Sequence, residues 1–198
     1  EKKDKIIFCI SIHTKYLSPI PGFYPRNNFE RITKLLSVKE VLSGFKPSIR
    51  AKTTIRYNGK IFLRNSYSFN KSFFGNNISF DNGSKQLVNH LNKSRLVIHD
   101  NNSTGWLETI FYDIPTVIIL NKDIEKFRNK FSKNLNELKK NKIIHFNSSS
   151  LTKFVNNNYS NIEKWWNSEK VKKSVKSFKD EYMKSSSDPL NDLIKVLK

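Results

Sequence analysis

A short segment from position 103 to position 108 holds residues of the types that bind a nucleotide: Ser103, Thr104, Gly105 and Glu108. Free N–H groups and the positive end of the dipole make a helix amino terminus favourable for a phosphate, and a glycine there lets a ligand oxygen approach the backbone. Glu108 follows Thr104 by one helical turn, so its carboxylate would face the same side and suit sugar hydroxyls. The spacing predicts a nucleotide site. An ordinary helix capped by Asn102 or Ser103, with a solvated Glu108, is the alternative.

The elements around this segment would place it at the edge of a sheet. Arg95 to His99 is predicted as a buried strand, Asp100 to Ser103 as a turn, Thr104 to Tyr112 as an amphipathic helix and Thr116 to Leu120 as a second buried strand. The predicted apolar face of the helix comprises Trp106, Leu107, Ile110 and Phe111. A helix that begins beyond the carboxyl end of a parallel strand is a favourable place for an anion.

Strands and helices alternate along the rest of the chain, which predicts an α/β fold with a doubly wound, mainly parallel sheet. The predicted strands are Lys5 to His13, Pro47 to Lys52, Ile78 to Asp81 and Ile143 to Phe146. The predicted helices include Phe29 to Ser43, Ser84 to Leu91, a lysine-rich helix ending near Lys142, Ser148 to Asn156, Ile162 to Trp166 and Ser168 to Lys184. We expect one domain over residues 1–184 and a further amphipathic helix over 185–198.

Three other residues are candidates for the same crevice. Arg50 lies near the end of a predicted strand, where its guanidinium could bind a ligand phosphate. A surface charge or a structural ion pair is the alternative. His13 and His99 both stand at predicted strand ends and could approach each other in the crevice. A hydrogen-bonded structural role is the alternative for each histidine.

The charge is strongly basic, with 36 Lys or Arg against 17 Asp or Glu and a net charge of +19. The excess is mostly lysine on the solvent faces of predicted helices, without a cluster of arginines that would read bases, so specific nucleic-acid binding is not favoured. A solvated lysine face is the main interpretation, and contact with an anionic membrane surface or an acidic polymer is the alternative.

Several classes of site have no sequence support. The chain contains no GxxxxGK[ST], GxGxxG or GxSxG motif and no Cys/His cluster with metal-ligand spacing. Cys9 lies in an apolar run and is predicted to be a core thiol. No apolar run approaches the roughly 20 residues that span a bilayer. We therefore expect a cytoplasmic protein, and the initial Glu1 suggests that an upstream part is missing.

The segment NNSTGWLETIFYDIPTVII resembles the strand-helix-strand unit of the carboxyl-terminal domain of GT-B glycosyltransferases, and is most similar to a bacterial family of surface-polysaccharide transferases. The residues that carry the resemblance are Ser103, Thr104, Leu107, Glu108, Ile114, Pro115 and Thr116. It extends to the loop with Pro21 and Gly22, the Phe29 helix, Ile49-Arg50 and the run with Trp165 and Trp166. The chain would then be one Rossmann-like half of a GT-B fold.

The resemblance implies that Ser103, Thr104 and Gly105 hold a nucleotide diphosphate and that Glu108 holds the ribose. It implies that Arg50 offsets the charge of the departing diphosphate, and that no metal ion or cofactor accompanies the nucleotide sugar. The acceptor and the catalytic base would belong to an amino-terminal domain, and the enzyme would work in the cytoplasm or peripherally at the inner membrane. A sugar-nucleotide epimerase of the same architecture and a basic module that binds anionic polysaccharide or membrane are the competing functions.

Overall fold

A computed structural model describes residues 3–11, 24–58, 72–75, 78–81, 86–122, 131–183 and 188. Its centre is a sheet of six parallel strands in the order β3-β2-β1-β4-β5-β6, which confirms the predicted α/β class. The strands are β1 Lys5–Ser11, β2 Thr53–Asn58, β3 Ser79–Asp81, β4 Ser94–His99, β5 Thr116–Ile119 and β6 Ile144–His145. The strand order reverses between β1 and β4. In such a sheet a ligand crevice opens outside the carboxyl ends of the strands at that point.

Helices cover both faces of this sheet. They are α1 Tyr24–Gly44, α2 Pro47–Arg50, α3 Val88–Leu91, α4 Thr104–Phe111, α5 Ser132–Lys140, α6 Ser148–Asn158, α7 Ile162–Trp166 and α8 Glu169–Tyr182, with a 3₁₀ turn at Tyr159–Asn161. Alternate residues of β1 enter opposite layers of the core: Phe8 packs in the layer of α1 and α6, whereas Cys9 packs with Leu91 of α3. Because both faces are covered, the central strands are apolar nearly throughout.

Gly44, predicted to end the first long helix, is the last residue of α1. A Cβ at this position would lie 2.7 Å from Cγ2 of Thr152 on α6. The two helices therefore approach there at a distance that only glycine allows. The amide of Asn156 on α6 donates to the Gly44 carbonyl at 2.8 Å and satisfies one of the free acceptors at the end of α1.

One predicted strand and one predicted helix start are wrong, and a proline explains each. Pro47 to Lys52 is not a strand, because Pro47 occupies the first turn of helix α2, where its missing N–H costs no hydrogen bond. Helix α1 begins at Tyr24, ahead of the predicted Phe29, and Pro25 again lies in its first turn. The strand that follows α2 is Thr53–Asn58, which the sequence interpretation missed.

Some predictions lie outside the described residues. They are His13, the loop with Pro21 and Gly22, and most of the helix proposed for 185–198, of which only Asp188 is described. Within the ranges that the structure describes, no helix is both long and apolar enough to cross a membrane.

Candidate functional site

The first turn of α4 lies at the strand-order reversal, just beyond the carboxyl end of β4. Ser103 is the residue before the helix and has extended backbone angles, φ −113° and ψ 171°, but its hydroxyl makes no capping hydrogen bond. The N–H groups of the first helical turn have no acceptor within the helix. The structure thus places Ser103, Thr104 and Gly105 together at a polarised helix end that faces the crevice.

Glu108 lies one turn after Thr104, and both residues are exposed on the helix surface. Its carboxylate is therefore accessible on the side of α4 that carries the first-turn threonine. That accessibility is compatible with a ligand beside α4, and equally with solvent.

The remainder of α4 is anchored from the other side. Trp106 is buried, its indole N–H donates to Oδ1 of Asn102 at 3.0 Å, and its ring lies 5.3 Å from that of Phe178 on α8. Ile110 is buried as predicted, but Phe111 is 49% exposed and its predicted place on the apolar face is wrong. Thr109, which the sequence interpretation did not place on this face, is fully buried, and its hydroxyl is satisfied by a hydrogen bond to the Trp106 carbonyl.

His99, the last residue of β4, lies beneath this first turn and is completely buried. Its Nε2 is 3.2 Å from Oγ1 of Thr109, and the Thr109 hydroxyl donates to the Trp106 carbonyl at 2.9 Å. Burial lowers the pKa of His99 to about 3, so the ring is neutral at pH 7. The predicted approach of His99 to His13 lies outside the described residues.

Gly105 packs directly against His99. A Cβ at position 105 would lie 3.4 Å from Cε1 and 3.7 Å from Nδ1 of His99, and 3.7 Å from Oγ of Ser103. Within the described part of the chain, Nδ1 of His99 and Oγ of Ser103 are buried without a hydrogen-bond partner. Two polar atoms that lack partners thus border the same small space in front of Gly105. Such groups are rare in folded proteins, and strain, a functional role, or a bound water or ion accounts for them.

A row of polar residues runs across the sheet at the level of His99. Cys9 of β1 pairs with His99 on one side and with Arg56 of β2 on the other, and Arg56 pairs with Asp81 of β3. Arg56 and Asp81 form a buried ion pair, and Nε2 of His90 lies 3.2 Å from the Asp81 carboxylate. In the sequence, Arg56 is a weaker ligand candidate than Arg50, and Asp81 and His90 are not among the candidates. The only sequence sign of this row is a charged residue late in each of two short strands.

The Cys9 thiol is inert in this setting. It is fully buried, and burial raises its pKa to about 12, although the nearby Arg56 acts in the opposite direction. A neutral thiol is a poor nucleophile, so Cys9 is the core residue that its apolar surroundings predict. Among the described side chains, no three His, Cys, Asp or Glu residues are grouped to hold a metal ion.

Arg50 does not join the other predicted site residues. It ends helix α2, three residues before β2 begins, and so lies at the amino-terminal edge of the sheet. The length of β2, about 20 Å at roughly 3.3 Å per residue, separates it from the carboxyl edge where α4 begins.

On its α1 side the crevice contains a cavity of about 50 Å³. It is lined by residues of α1 and by the ends of β4, β5 and β6, including Lys34, Ser37, Asp100, Asn121 and Phe146. Polar and apolar side chains therefore both line the crevice on the side opposite to His99.

The sequence pattern of the LIC12162 family transferases matches residues 2–197, which is nearly the whole chain. No curated protein matches the chain.

Proposed function

The chain belongs to the LIC12162 family of transferases, and we propose that it is the donor-binding half of a nucleotide-sugar-dependent glycosyltransferase. One observation carries the proposal: the first turn of α4 lies at the strand-order reversal, and around it are buried two polar atoms, Oγ of Ser103 and Nδ1 of His99, that have no hydrogen-bond partner among the described residues. The resemblance to surface-polysaccharide transferases supports a role in the biosynthesis of such polymers.

In this proposal the nucleotide diphosphate lies at the amino terminus of α4. The N–H groups of the first turn, that of Gly105 among them, and the hydroxyls of Ser103 and Thr104 donate to its oxygens. The helix terminus carries roughly half a positive charge, which favours a departing diphosphate without the help of a metal ion. Glu108, exposed one turn further on, accepts hydrogen bonds from the ribose hydroxyls.

The reaction is displacement at the anomeric carbon. An acceptor oxygen forms a bond to that carbon, and the bond to the diphosphate oxygen breaks, with its electron pair leaving on the nucleoside diphosphate. The acceptor proton passes to a base. We assign that base and the acceptor site to a second domain, because the single sheet described here supplies one wall of a crevice and exclusion of water needs two.

Calorimetric titration of the chain with ribonucleoside 5′-monophosphates and 5′-diphosphates tests the proposal. We expect one diphosphate to bind, its monophosphate to bind more weakly, and Ser103→Ala to weaken the diphosphate more than the nucleoside. Ser149→Ala removes an exposed hydroxyl from the first turn of α6 and is the matched control.

Absence of binding by every nucleotide would contradict the proposal. Salt-sensitive binding of an anionic polysaccharide or lipid vesicle, combined with indifference to nucleotides, would support the basic-module function instead.

A further inference from the structure

His145 shows how this fold satisfies a buried histidine at a strand end. It is the last residue of β6, its Nε2–H donates to the Lys142 carbonyl at 2.9 Å, and its Nδ1 lies 3.0 Å from Oγ of Ser150. A carbonyl can only accept, so the proton is on Nε2 and Nδ1 accepts from the serine hydroxyl. Both ring nitrogens therefore have partners within the chain.

His99 has the same tautomer but only one of the two partners. The Thr109 hydroxyl has a single proton, which it donates to the Trp106 carbonyl, so its oxygen accepts from Nε2–H of His99. Nδ1 of His99 then carries a lone pair. Among the described residues, no side chain bonds to Nδ1 of His99 in the way that Ser150 bonds to Nδ1 of His145. Nδ1 of His99 instead faces the space in front of Gly105.

The space in front of Gly105 is open only because this residue has no side chain. A Cβ there would already lie 3.4 Å from Cε1 and 3.7 Å from Nδ1 of His99, so any larger residue would cover the surface that a ligand has to approach. We propose that this space receives one hydroxyl group of the bound nucleotide sugar, which donates its hydrogen bond to Nδ1 of His99. The inference rests on the proposed function and adds to it the group that His99 recognises.

The chemistry of Nδ1 selects a hydroxyl over a phosphate oxygen. A phosphate oxygen is an acceptor and would meet the lone pair of Nδ1 without a proton between them. Protonation of the ring would remove that conflict, but burial lowers the pKa of His99 to about 3 and holds the ring neutral near pH 7. The phosphate is therefore expected at the N–H groups of the first turn, and the hydroxyl further in, against His99.

Two parts of a nucleotide sugar carry such a hydroxyl, the ribose and the transferred sugar. The probes are the ribonucleoside 5′-diphosphates, their 2′-deoxy and 3′-deoxy forms, UDP-glucose and GDP-mannose. If the ribose supplies the hydroxyl, one deoxy form binds at least tenfold more weakly than its parent. If the transferred sugar supplies it, the deoxy forms bind as tightly as their parents. Gly105→Ala then weakens the binding of the nucleotide sugar and leaves the affinity for the free diphosphate unchanged.

Gly105→Ala is the decisive variant because its methyl group fills the space. The nearest atom would be 3.4 Å away, an ordinary contact, and alanine is favourable in a helix, so the melting temperature should equal or exceed that of the wild type. We expect the affinity for the ligand that carries the hydroxyl to fall at least tenfold. Ser149→Ala should leave it unchanged.

Nitrogen-15 NMR of the imidazole rings gives a second measurement. The unprotonated Nδ1 signal of His99 should move when the ligand binds, whereas that of His145, already bonded to Ser150, should stay in place and serve as the internal reference.

Equal affinity of wild type and Gly105→Ala, with an unmoved His99 signal, would overturn the inference and leave the nucleotide site standing. Failure of the wild type to bind any probe would overturn the proposed function and this inference together.

Discussion

Arg56 and Asp81 form an ion pair across the neighbouring strands β2 and β3, with only 8% and 10% of their side chains exposed. Each charge depends on the other, because a buried charge without a counter-charge is strongly unfavourable. The pair lies in the same row of the sheet as Cys9 and His99. Loss of either partner should therefore destabilise the layer beneath the crevice.

We predict that Arg56→Met and Asp81→Asn each lower the free energy of unfolding by about 3 to 5 kcal/mol, measured in urea. Arg56→Met combined with Asp81→Asn should cost less than the sum of the two single changes. The exposed pair of Lys140 and Glu137 on α5 is the control, and Glu137→Ala should cost less than about 1 kcal/mol. Additive effects at Arg56 and Asp81 would show that the pair is not coupled.

Glu108→Ala should weaken nucleotide binding by about 1 to 3 kcal/mol, because a charge-assisted hydrogen bond to the ribose is lost. The side chain is exposed, so the melting temperature should not change. Calorimetric titration with the preferred ribonucleotide measures the effect, and Glu163→Ala, another exposed helical glutamate, is the control. Equal affinities of wild type and Glu108→Ala would exclude the ribose role.

Arg50→Ala should leave diphosphate binding within error of the wild type. The residue lies at the edge of the sheet opposite to the first turn of α4, beyond the reach of a ligand held there. The measurement is titration with the same diphosphate and its nucleoside. A selective loss of diphosphate affinity would show that Arg50 contributes to the site after all.

The free energy of unfolding should fall as the pH falls from about 6 to about 4. Burial lowers the pKa of His99 to about 3 and that of His145 to about 4, so the unfolded chain takes up protons that the folded chain does not. Each histidine contributes at most about 1.4 kcal/mol per pH unit. Urea unfolding at several pH values should give a shallower slope for His145→Gln, and an unchanged slope would contradict the assignment.

The 198-residue chain should bind a nucleoside diphosphate but release none from a nucleotide sugar. Alignment of donor and acceptor can supply about 7 to 11 kcal/mol of barrier reduction, and a single wall cannot provide it. Release of nucleoside diphosphate from a panel of nucleotide sugars is the assay. Robust turnover by these residues alone would require an acceptor site within the chain and would refute the division between two domains.

The alternation of apolar strands and amphipathic helices could be predicted from the sequence because it depends on local periodicity. The shared side of Thr104 and Glu108 is a local property of the same kind, since 3.6 residues per helical turn fix it. The inert character of Cys9 also followed from its apolar neighbours. Proline was misread at positions 25 and 47 because it suits a loop and the first turn of a helix equally well.

The tertiary structure alone decided which arginine lies in the sheet. Arg56 is buried because Asp81, from a strand 25 residues later, offsets its charge, and no local pattern in the sequence reveals that partner. Arg50 is left at the opposite edge because α2 precedes the strand. The state of His99 was equally hidden: burial makes it neutral, Thr109 fixes its tautomer, and its second nitrogen, beside Gly105, has no partner among the described residues. These properties arise from desolvation and from the directions of hydrogen bonds, which exist only once the strands and helices have packed.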